Sequence, residues 1–290
     1  MTIDPKDTAI SKLTGLLQGS ISPRPIAFAS TVDKNGIVNL SPFSFFNLVS
    51  LNPPMLVFSV SRRVRDNTTK HSYENILEVP EVVVNIVNYN MVQQTSLAST
   101  EYAKGVNEFV KTGLTPVDSL KVKPPRVAES PVAFECLVRQ VIPLGETPGA
   151  GNLIISEIIL AHFSDDIFDN EGTIDPFKID TVARMGGDWY CRAQGNAIFK
   201  VPKPLTTLGI GVDQIPQSIR LSKVLTGNDL GMLGNTEYLP DAASIQALRL
   251  QPEVAAALSK GEDAIHQLAK LYLQEGKVME AWSVLLMNGQ

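Results

Sequence analysis

The sequence has 290 residues, of which 44% are hydrophobic and 19% are charged, and its formal net charge at pH 7 is −5. This composition excludes a disordered or fibrous chain, and the length allows one large domain or two smaller ones. A mildly acidic chain is not suited to coating nucleic acid, so we expect no nucleic-acid partner. Any anion site must therefore come from a local cluster of basic residues.

The two cysteines, Cys136 and Cys191, form neither a CxxC pair nor a Cys/His ligand spacing, so no metal site is expected. The first 20 residues carry early acids and lack the apolar stretch of a signal peptide. No segment approaches the roughly 20 apolar residues of a membrane span. We therefore expect a cytoplasmic protein that does not enter a membrane.

The first 61 residues predict a polar lead-in followed by β-strands. The lead-in contains only a short amphipathic turn around Leu13. Residues 25–32 are rich in β-formers and run into Asn35-Gly36, which is a strong hairpin signal. The chain is predicted to return along residues 37–50 and to form another strand over 55–61.

The middle of the chain predicts short helices and a long β-hairpin. The predicted helices cover 72–79 and 90–98, with a β-branched strand over 81–88 between them, and residues 99–130 are predicted to have little regular structure. Two long strands, 131–144 and 152–163, should pair as a hairpin that crosses a barrel. The second strand has continuous apolar content, which predicts that it is covered on both faces.

The character of the sequence changes near Pro204, and from Asp241 onward it is rich in Ala and Leu with helical periodicity. Helices are predicted over 242–250, 253–259, 262–276 and 277–289. The sequence therefore predicts a mainly β domain over residues 1–205 and a helical C-terminal extension over 206–290.

The common catalytic templates are missing from the sequence. It has no GxSxG elbow, no P-loop and no HExxH motif. Its three histidines are His71, His162 and His266, and we interpret His162, in a strand, and His266, in a helix, as structural. No catalytic side chain is predicted, so enzymatic chemistry would have to be carried by a cofactor.

Residues 61–76 form the strongest basic cluster of this acidic chain. They combine four cations with hydroxyl and amide side chains, a mixture that suits a phosphate monoester. An exposed, solvated loop is the other interpretation, and the segment alone does not exclude it. The cations are Arg62, Arg63, Arg65 and Lys70, against the acids Asp66 and Glu74.

Residues 40–47 form a second unusual segment, in which three phenylalanines alternate with small hydroxyl residues. Ser44 and Asn47 could bond the polar edge of a heterocycle whose ring meets the backbone there. Alternatively, Phe43 and Phe45 are ordinary core aromatics of a strand.

These segments, taken in order, resemble the flavin reductase-like, FMN-binding split-barrel family, in particular its flavoredoxin-like branch. The resemblance extends over roughly residues 20–200. One departure is His71, which stands where the family commonly has an acid. The matching segments are 22–27, 31–36, 39–47, 52–54, 70–76, 82–87 and 184–190.

The resemblance implies a mainly β fold, a six-stranded Greek-key split barrel, and a homodimer with one FMN per subunit at the interface. FMN is expected rather than FAD, NAD(P)H is the expected electron donor, and a monooxygenase or another electron acceptor is the expected partner. The implied cofactor-binding residues are Ser44, Phe45, Phe46 and Asn47 along the flavin ring, Ser59, Arg62 and Arg63 along the ribityl phosphate, Lys70 and Ser72 at the phosphate, Arg24 near the N1–C2 carbonyl, and Arg184 at the partner's flavin or the dimer contact.

An NAD(P)H:flavin oxidoreductase is the function that we predict, and three alternatives stay open at this point. The chain could hold FMN as an electron carrier without turnover. Its helical tail could bind a partner protein. It could also be a pyridoxamine-phosphate-oxidase-type enzyme, which shares the architecture, although the segment 41–47 favours the reductase.

Overall fold

The computed structural model describes residues 1–287, and the chain divides into two compact units, Met1–Phe199 and Lys200–Gln290. None of the described helices is both long enough and apolar enough to cross a membrane. The strands are β1 (Ala27–Val32), β2 (Val38–Phe43), β3 (Phe46–Leu51), β4 (Pro54–Ser59), β5 (Glu81–Ile86), β6 (Pro116–Val117), β7 (Arg126–Val127), β8 (Val132–Pro143), β9 (Asn152–Phe163), β10 (Val182–Gly186) and β11 (Trp189–Arg192).

The helices of the first unit are short, apart from the one that precedes the sheet. This N-terminal helix corrects the sequence prediction of a mere amphipathic turn in the lead-in. The predicted helices over 72–79 and 90–98 are confirmed, and 99–130 contains one short helix and two two-residue strands. The helices are α1 (Ile10–Ser20), α2 (His71–Glu78), α3 (Val92–Leu97), α4 (Glu108–Thr112) and α5 (Pro176–Ile179).

Seven strands form one antiparallel sheet in the order β2-β1-β5-β8-β9-β4-β3. The Asn35-Gly36 turn joins β1 to β2, with Gly36 in the left-handed region that this turn requires (φ 81°). The predicted long hairpin is confirmed, because β8 and β9 pair from Val132↔Phe163 to Pro143↔Asn152. Smaller two-stranded sheets pair β6 with β7 and β10 with β11.

The segment predicted as one returning strand, 37–50, is in fact two strands at opposite edges of the sheet. β2 ends at Phe43, β3 begins at Phe46, and the two strands stand first and last in the strand order. Consecutive Cα atoms are about 3.8 Å apart, so these edges lie within about 11 Å of each other at this point. The sheet must therefore curl on itself into a split barrel, with seven strands rather than six. We call residues 43–46 the seam.

Apolar side chains fill the barrel and cover part of its outer surface. The inner cluster includes Phe43, Phe58 and Ile76 of α2, and an outer cluster includes Phe28 and Phe109 of α4. β1 is buried along its whole length, because helices cover its outer face. The prediction that β9 is covered on both faces was wrong: buried and partly exposed residues alternate over 152–156, and residues 157–163 are partly or fully exposed.

The second unit is helical, as the sequence predicts. The predicted helices are present, although residues 288 and 289 of the last one lie outside the described residues. Trp282 is fully buried and its indole N–H donates to the Leu233 carbonyl over 3.1 Å, which ties the last helix to an earlier one. The helices are α6 (Gln217–Arg220), α7 (Gly227–Gly234), α8 (Ala242–Arg249), α9 (Pro252–Lys260), α10 (Glu262–Gln274) and α11 (Val278–Leu286).

Candidate flavin site

The seam brings an exposed aromatic ring beside the barrel core. Phe43 points into the barrel and packs on Phe58, with ring centroids 5.6 Å apart. Two residues later, the side chain of Phe45 remains 45% exposed, while its carbonyl accepts the Ser59 amide over 2.8 Å. The seam is thereby anchored to the end of β4, and one flat apolar ring is left open to a ligand.

The polar residues of the seam segment differ in their availability. Ser44 is partly buried and Phe46 packs against the barrel core, whereas Asn47 is exposed and its side-chain oxygen accepts the neighbouring Leu48 amide over 2.9 Å. Ser59 is buried, and a Cβ at residue 151 would approach its hydroxyl to 2.6 Å, which explains the glycine there.

Lys70 is the cation closest to the seam for which the described residues offer no ion pair. It precedes α2, and its ammonium lies 5.3 Å from the centroid of the Phe43 ring. Burial lowers the pKa of Lys70, and the nearby charge of Arg63 lowers it further. The charge of Glu101 only partly offsets this lowering of the pKa, and no carboxylate of the described residues lies within ion-pair distance of the half-buried ammonium, so an anion bound there would stabilise it.

The three arginines of the basic loop are instead held by groups of the loop and by Glu101, with which Arg63 and Arg65 form ion pairs. The Arg62 guanidinium donates to the Asn67 side-chain oxygen over 2.7 Å and to its carbonyl over 2.6 Å. Arg63 donates to the Thr68 hydroxyl over 3.0 Å and to the carbonyl of the residue before Lys70. Asn67 adopts a left-handed conformation, with φ of 57°, which its short polar side chain tolerates.

Acidic residues complete this loop. Arg65 is 73% exposed and forms ion pairs with Glu101 over 2.9 Å and with Asp66 over 3.1 Å. Hydrogen bonds from the Thr68 hydroxyl and amide, together with Arg65, lower the pKa of Asp66 to about 2. The loop is therefore internally hydrogen-bonded, while Arg65 and its neighbours remain exposed to solvent, so the interpretation as a solvated loop stays open.

Arg24 and Arg184 are paired through their backbones, each amide donating to the other residue's carbonyl over 2.9 Å. Arg24 is only 6% exposed, although it is a cation, and its guanidinium donates to the Ile21 carbonyl over 2.6 Å and to the Gln18 carbonyl at the end of α1. Burial lowers the pKa of Arg24, and the charge of Arg184 adds to the effect.

The Arg24 guanidinium also lies 6.0 Å from the centroid of the exposed Phe45 ring, and its Nε has no hydrogen-bond partner in the described structure. Arg184 donates to the Tyr190 hydroxyl over 2.8 Å and to the Gly187 carbonyl over 2.6 Å. Neither arginine has a carboxylate partner within the described residues. The orphaned Nε beside an open aromatic ring fits an anionic, aromatic ligand such as a flavin.

Packing against α1 requires the glycine at position 186. Gly186 has φ of 106°, and a Cβ there would lie 3.2 Å from the backbone of Gly19 in α1. Only glycine lets the β10–β11 hairpin lie this close to the helix that Arg24 caps.

Ser72 is positioned by a buried network that the sequence did not reveal. Its hydroxyl donates to the Asn39 side-chain oxygen over 2.6 Å, and the Asn39 amide group donates to Glu108 over 2.7 Å. Glu108 also accepts the Leu40 amide over 3.0 Å, and burial raises the pKa of this carboxyl. Glu108 lies in the segment predicted to lack regular structure, so no sequence signal pointed to it.

The structure thus brings most of the predicted residues into one connected region. Lys70 contacts Phe43, the seam leads to Phe45, and Phe45 contacts Arg24, which pairs with Arg184. The two histidines interpreted as structural have internal partners: His162 lies 2.6 Å from Glu135, and His266 lies 2.7 Å from the Ser222 hydroxyl. Among residues 1–287, no three His, Cys, Asp or Glu side chains are grouped to hold a metal ion.

Comparison with known proteins gives consistent matches. Residues 19–174 match the family model described as "Flavin reductase like domain". An uncharacterised protein of Aquifex aeolicus (strain VF5) is 39% identical over 196 residues, which cover 68% of this chain and 97% of that protein.

Two solved structures are similar to the chain. Nitrilotriacetate monooxygenase component B from Bacillus cereus superposes with a TM-score of 0.64 and 30% identity, covering 69% of this chain and 98% of its own. The 2-nitrobenzoate 2-nitroreductase of Pseudomonas fluorescens gives a TM-score of 0.60 and 25% identity, covering 72% of this chain and 100% of its own. The family model and these relatives support a flavin-related oxidoreductase. The chain belongs to the flavin reductase-like split-barrel family.

Proposed function

We propose that this protein is an NAD(P)H-dependent flavin reductase that binds FMN at the seam. The observation that carries the proposal is the set of cations along the seam. Arg24 lies beside the exposed Phe45 ring, Lys70 lies beside the Phe43 ring, and Arg184 pairs with Arg24 through its backbone. No carboxylate of the described chain lies within ion-pair distance of these three side chains. A flavin phosphate and an electron-rich ring edge supply the two kinds of negative charge that these cations can stabilise.

The residues divide into those for the ring and those for the phosphate. Ser44, Phe45, Phe46 and Asn47 would line the isoalloxazine, and Lys70, with Arg62, Arg63 and Ser59 nearby, would hold the ribityl phosphate. The Ser72 hydroxyl donates its proton to Asn39, so its oxygen can accept a further hydrogen bond but cannot donate one. A phosphate monoester makes FMN the better fit than FAD, because a single phosphate suits the compact ammonium of Lys70.

A flavin held at the seam would supply the redox chemistry, by accepting a hydride from NAD(P)H. The protein needs no general base for this reaction. Its part is to hold the ring in contact with the nicotinamide and to stabilise negative charge near N1 and C2 with the Arg24 guanidinium. Because Arg24 is buried, its charge acts in a poorly screened environment.

A homodimer is part of the proposal. Within residues 1–287, β3 pairs only with β4, and this edge strand carries three exposed apolar side chains: Leu48 (51%), Val49 (56%) and Leu51 (80%). An exposed apolar edge strand favours aggregation, so we infer that a second copy of the chain covers it. The name of the Bacillus cereus relative marks it as one component of a monooxygenase, and by that likeness we infer a partner oxygenase that receives reduced flavin. The cytoplasmic location stays a prediction.

The test is the visible spectrum of the purified protein after loading with FMN and desalting, followed by anaerobic addition of NADH or NADPH. A retained flavin band that bleaches within the mixing time supports the reductase. A retained band that NAD(P)H leaves unbleached contradicts turnover and leaves an electron carrier. If no flavin is retained and free FMN is not turned over, the proposal is wrong.

A further inference from the structure

A cleft of about 400 Å³ lies between the segment from Tyr89 to Ser96 and the β10–β11 hairpin. It is separate from the seam but borders it, because Arg184 lines the cleft and its backbone pairs with Arg24, which contacts Phe45. A ligand in the cleft could therefore extend past Arg184 toward a flavin at the seam.

The wall of the cleft at Tyr89 is rigid and aromatic. The Arg192 guanidinium lies 3.8 Å from the centroid of the Tyr89 ring, and it is fixed by two hydrogen bonds to Asp180, of 2.8 and 2.7 Å. The Asp180 carbonyl accepts the Tyr89 amide over 3.0 Å. Tyr89 nevertheless remains 47% exposed, so this held ring offers a surface on which a planar base can stack.

The opposite wall provides charge. Arg184 lies over the Tyr190 ring at 4.7 Å and has no carboxylate partner in the described chain, so it can receive a phosphate. Asp188, at the β10–β11 turn, is exposed and likewise has no cation or donor among the described residues. A free carboxylate is a good acceptor for a ribose diol and repels a phosphate ester on the same ribose.

From these contacts we propose that the cleft binds the adenosine half of the electron donor, and that the donor is NADH rather than NADPH. The base would stack on Tyr89, the pyrophosphate would lie at Arg184, and the ribose hydroxyls would face Asp188. Arg192 cannot receive a 2′-phosphate through its Nε and Nη2, because Asp180 occupies both. The proposal rests on the proposed reductase function.

Binding is tested without turnover by titrating ADP-ribose into the FMN-loaded full-length protein in a calorimeter. Saturable binding is expected, and Tyr89→Leu should weaken it at least tenfold. Tyr102→Leu is the matched control, since Tyr102 also lies beneath a cation, Lys111, but away from the cleft. Equal ADP-ribose affinity in the wild type and Tyr89→Leu, or no binding at all, would overturn the cleft assignment.

Turnover tests the choice of donor. The wild type should have a kcat/KM for NADH at least tenfold above that for NADPH. Asp188→Asn should lower this ratio of kcat/KM values about tenfold, mainly through changes in KM. A wild-type preference for NADPH, or an unchanged ratio in Asp188→Asn, contradicts the role of Asp188. Binding of ADP-ribose without bleaching of the flavin by NADH would refute the reductase and leave the nucleotide cleft standing.

Discussion

The basic loop after β4 and the arginine pair beside the seam are both rich in positive charge, but their cations are in different states. The loop arginines donate to Asn67, Thr68 and Glu101, and so they hold their own segment together. Arg24 and Arg184 come from positions far apart in the chain. They also donate to nearby carbonyl and hydroxyl groups, but the Arg24 Nε is left without a partner in the described structure. A dense run of cations in a sequence is therefore a weaker sign of an anion site than cations that the fold brings together without satisfying all their donors.

The largest effect that would sharpen this comparison is expected for Arg24→Ala. It removes the unpaired guanidinium and also leaves the Gln18 and Ile21 carbonyls without their donor. We expect FMN affinity to fall at least thirtyfold and the free energy of unfolding to fall by about 2–3 kcal/mol. Flavin titration and denaturant unfolding measure the two quantities.

Arg24→Lys separates flavin binding from the capping of α1, since it keeps the positive charge and loses part of the hydrogen bonding to the Gln18 and Ile21 carbonyls. A variant with alanine at this position that binds FMN as the wild type does would remove Arg24 from the site.

The next largest effect is expected for Lys70→Met. The variant removes the cation that would hold the phosphate, so FMN affinity should fall about tenfold, equivalent to about 1.4 kcal/mol. Burial destabilises the Lys70 ammonium, so the flavin-free variant should be as stable as the wild type or more stable. Riboflavin, which lacks the phosphate, should bind both proteins equally in the same fluorescence titration.

Lys104→Met is the matched control, because Lys104 is exposed and paired with Glu74 over 3.2 Å. An equal loss of FMN and riboflavin affinity in Lys70→Met would place the lysine at the ring rather than at the phosphate.

A smaller, pH-dependent effect follows from the same lysine. The pKa of Lys70 lies below its usual value, and a bound phosphate would raise it. Binding is therefore favoured where Lys70 is protonated, and it weakens as the pH rises through the lowered pKa of the free protein. As the pH rises toward the ordinary lysine pKa of about 10.4, FMN affinity should fall severalfold in the wild type and less in Lys70→Arg, which stays charged. Identical pH profiles would exclude Lys70 titration as the cause.

The smallest effect is expected for Arg65→Ala. This side chain is 73% exposed and pairs only with Asp66 and Glu101 on the surface. We expect FMN affinity within twofold of the wild type and little change in the free energy of unfolding, because solvent screens an exposed ion pair. A tenfold loss of FMN affinity would show that the whole basic loop contributes to the site, and it would contradict the contrast drawn between this loop and the arginine pair.

The sequence predicted the fold where local signals were strong. The Asn35-Gly36 turn, the β8–β9 hairpin and the periodic helices after Asp241 all lie where their patterns placed them. It did not predict that 37–50 splits at the seam, because both halves are equally β-forming and only long-range pairing with β1 and β4 separates them.

Within the site, the predicted residues came from segments that the structure connects, but their hydrogen-bonding states could not be predicted. The Ser72 hydroxyl is directed at Asn39, and Asn39 is held by Glu108, which lies 69 residues further along the chain. Contacts over such separations depend on how α4 packs on β2, and no local pattern encodes that packing.

The position of the seam also determines when the pocket can form during folding. β1 and β2, and likewise β3 and β4, can pair locally, and the seam joins the two hairpins from the start, but the sheet between β1 and β4 closes only when β5, β8 and β9 have been inserted. Such pairing between distant parts of the chain is slow to form, because the intervening loops must close first. A nascent chain on the ribosome therefore has no complete flavin pocket until β9 has emerged, and the cofactor can be captured only at a late stage of folding.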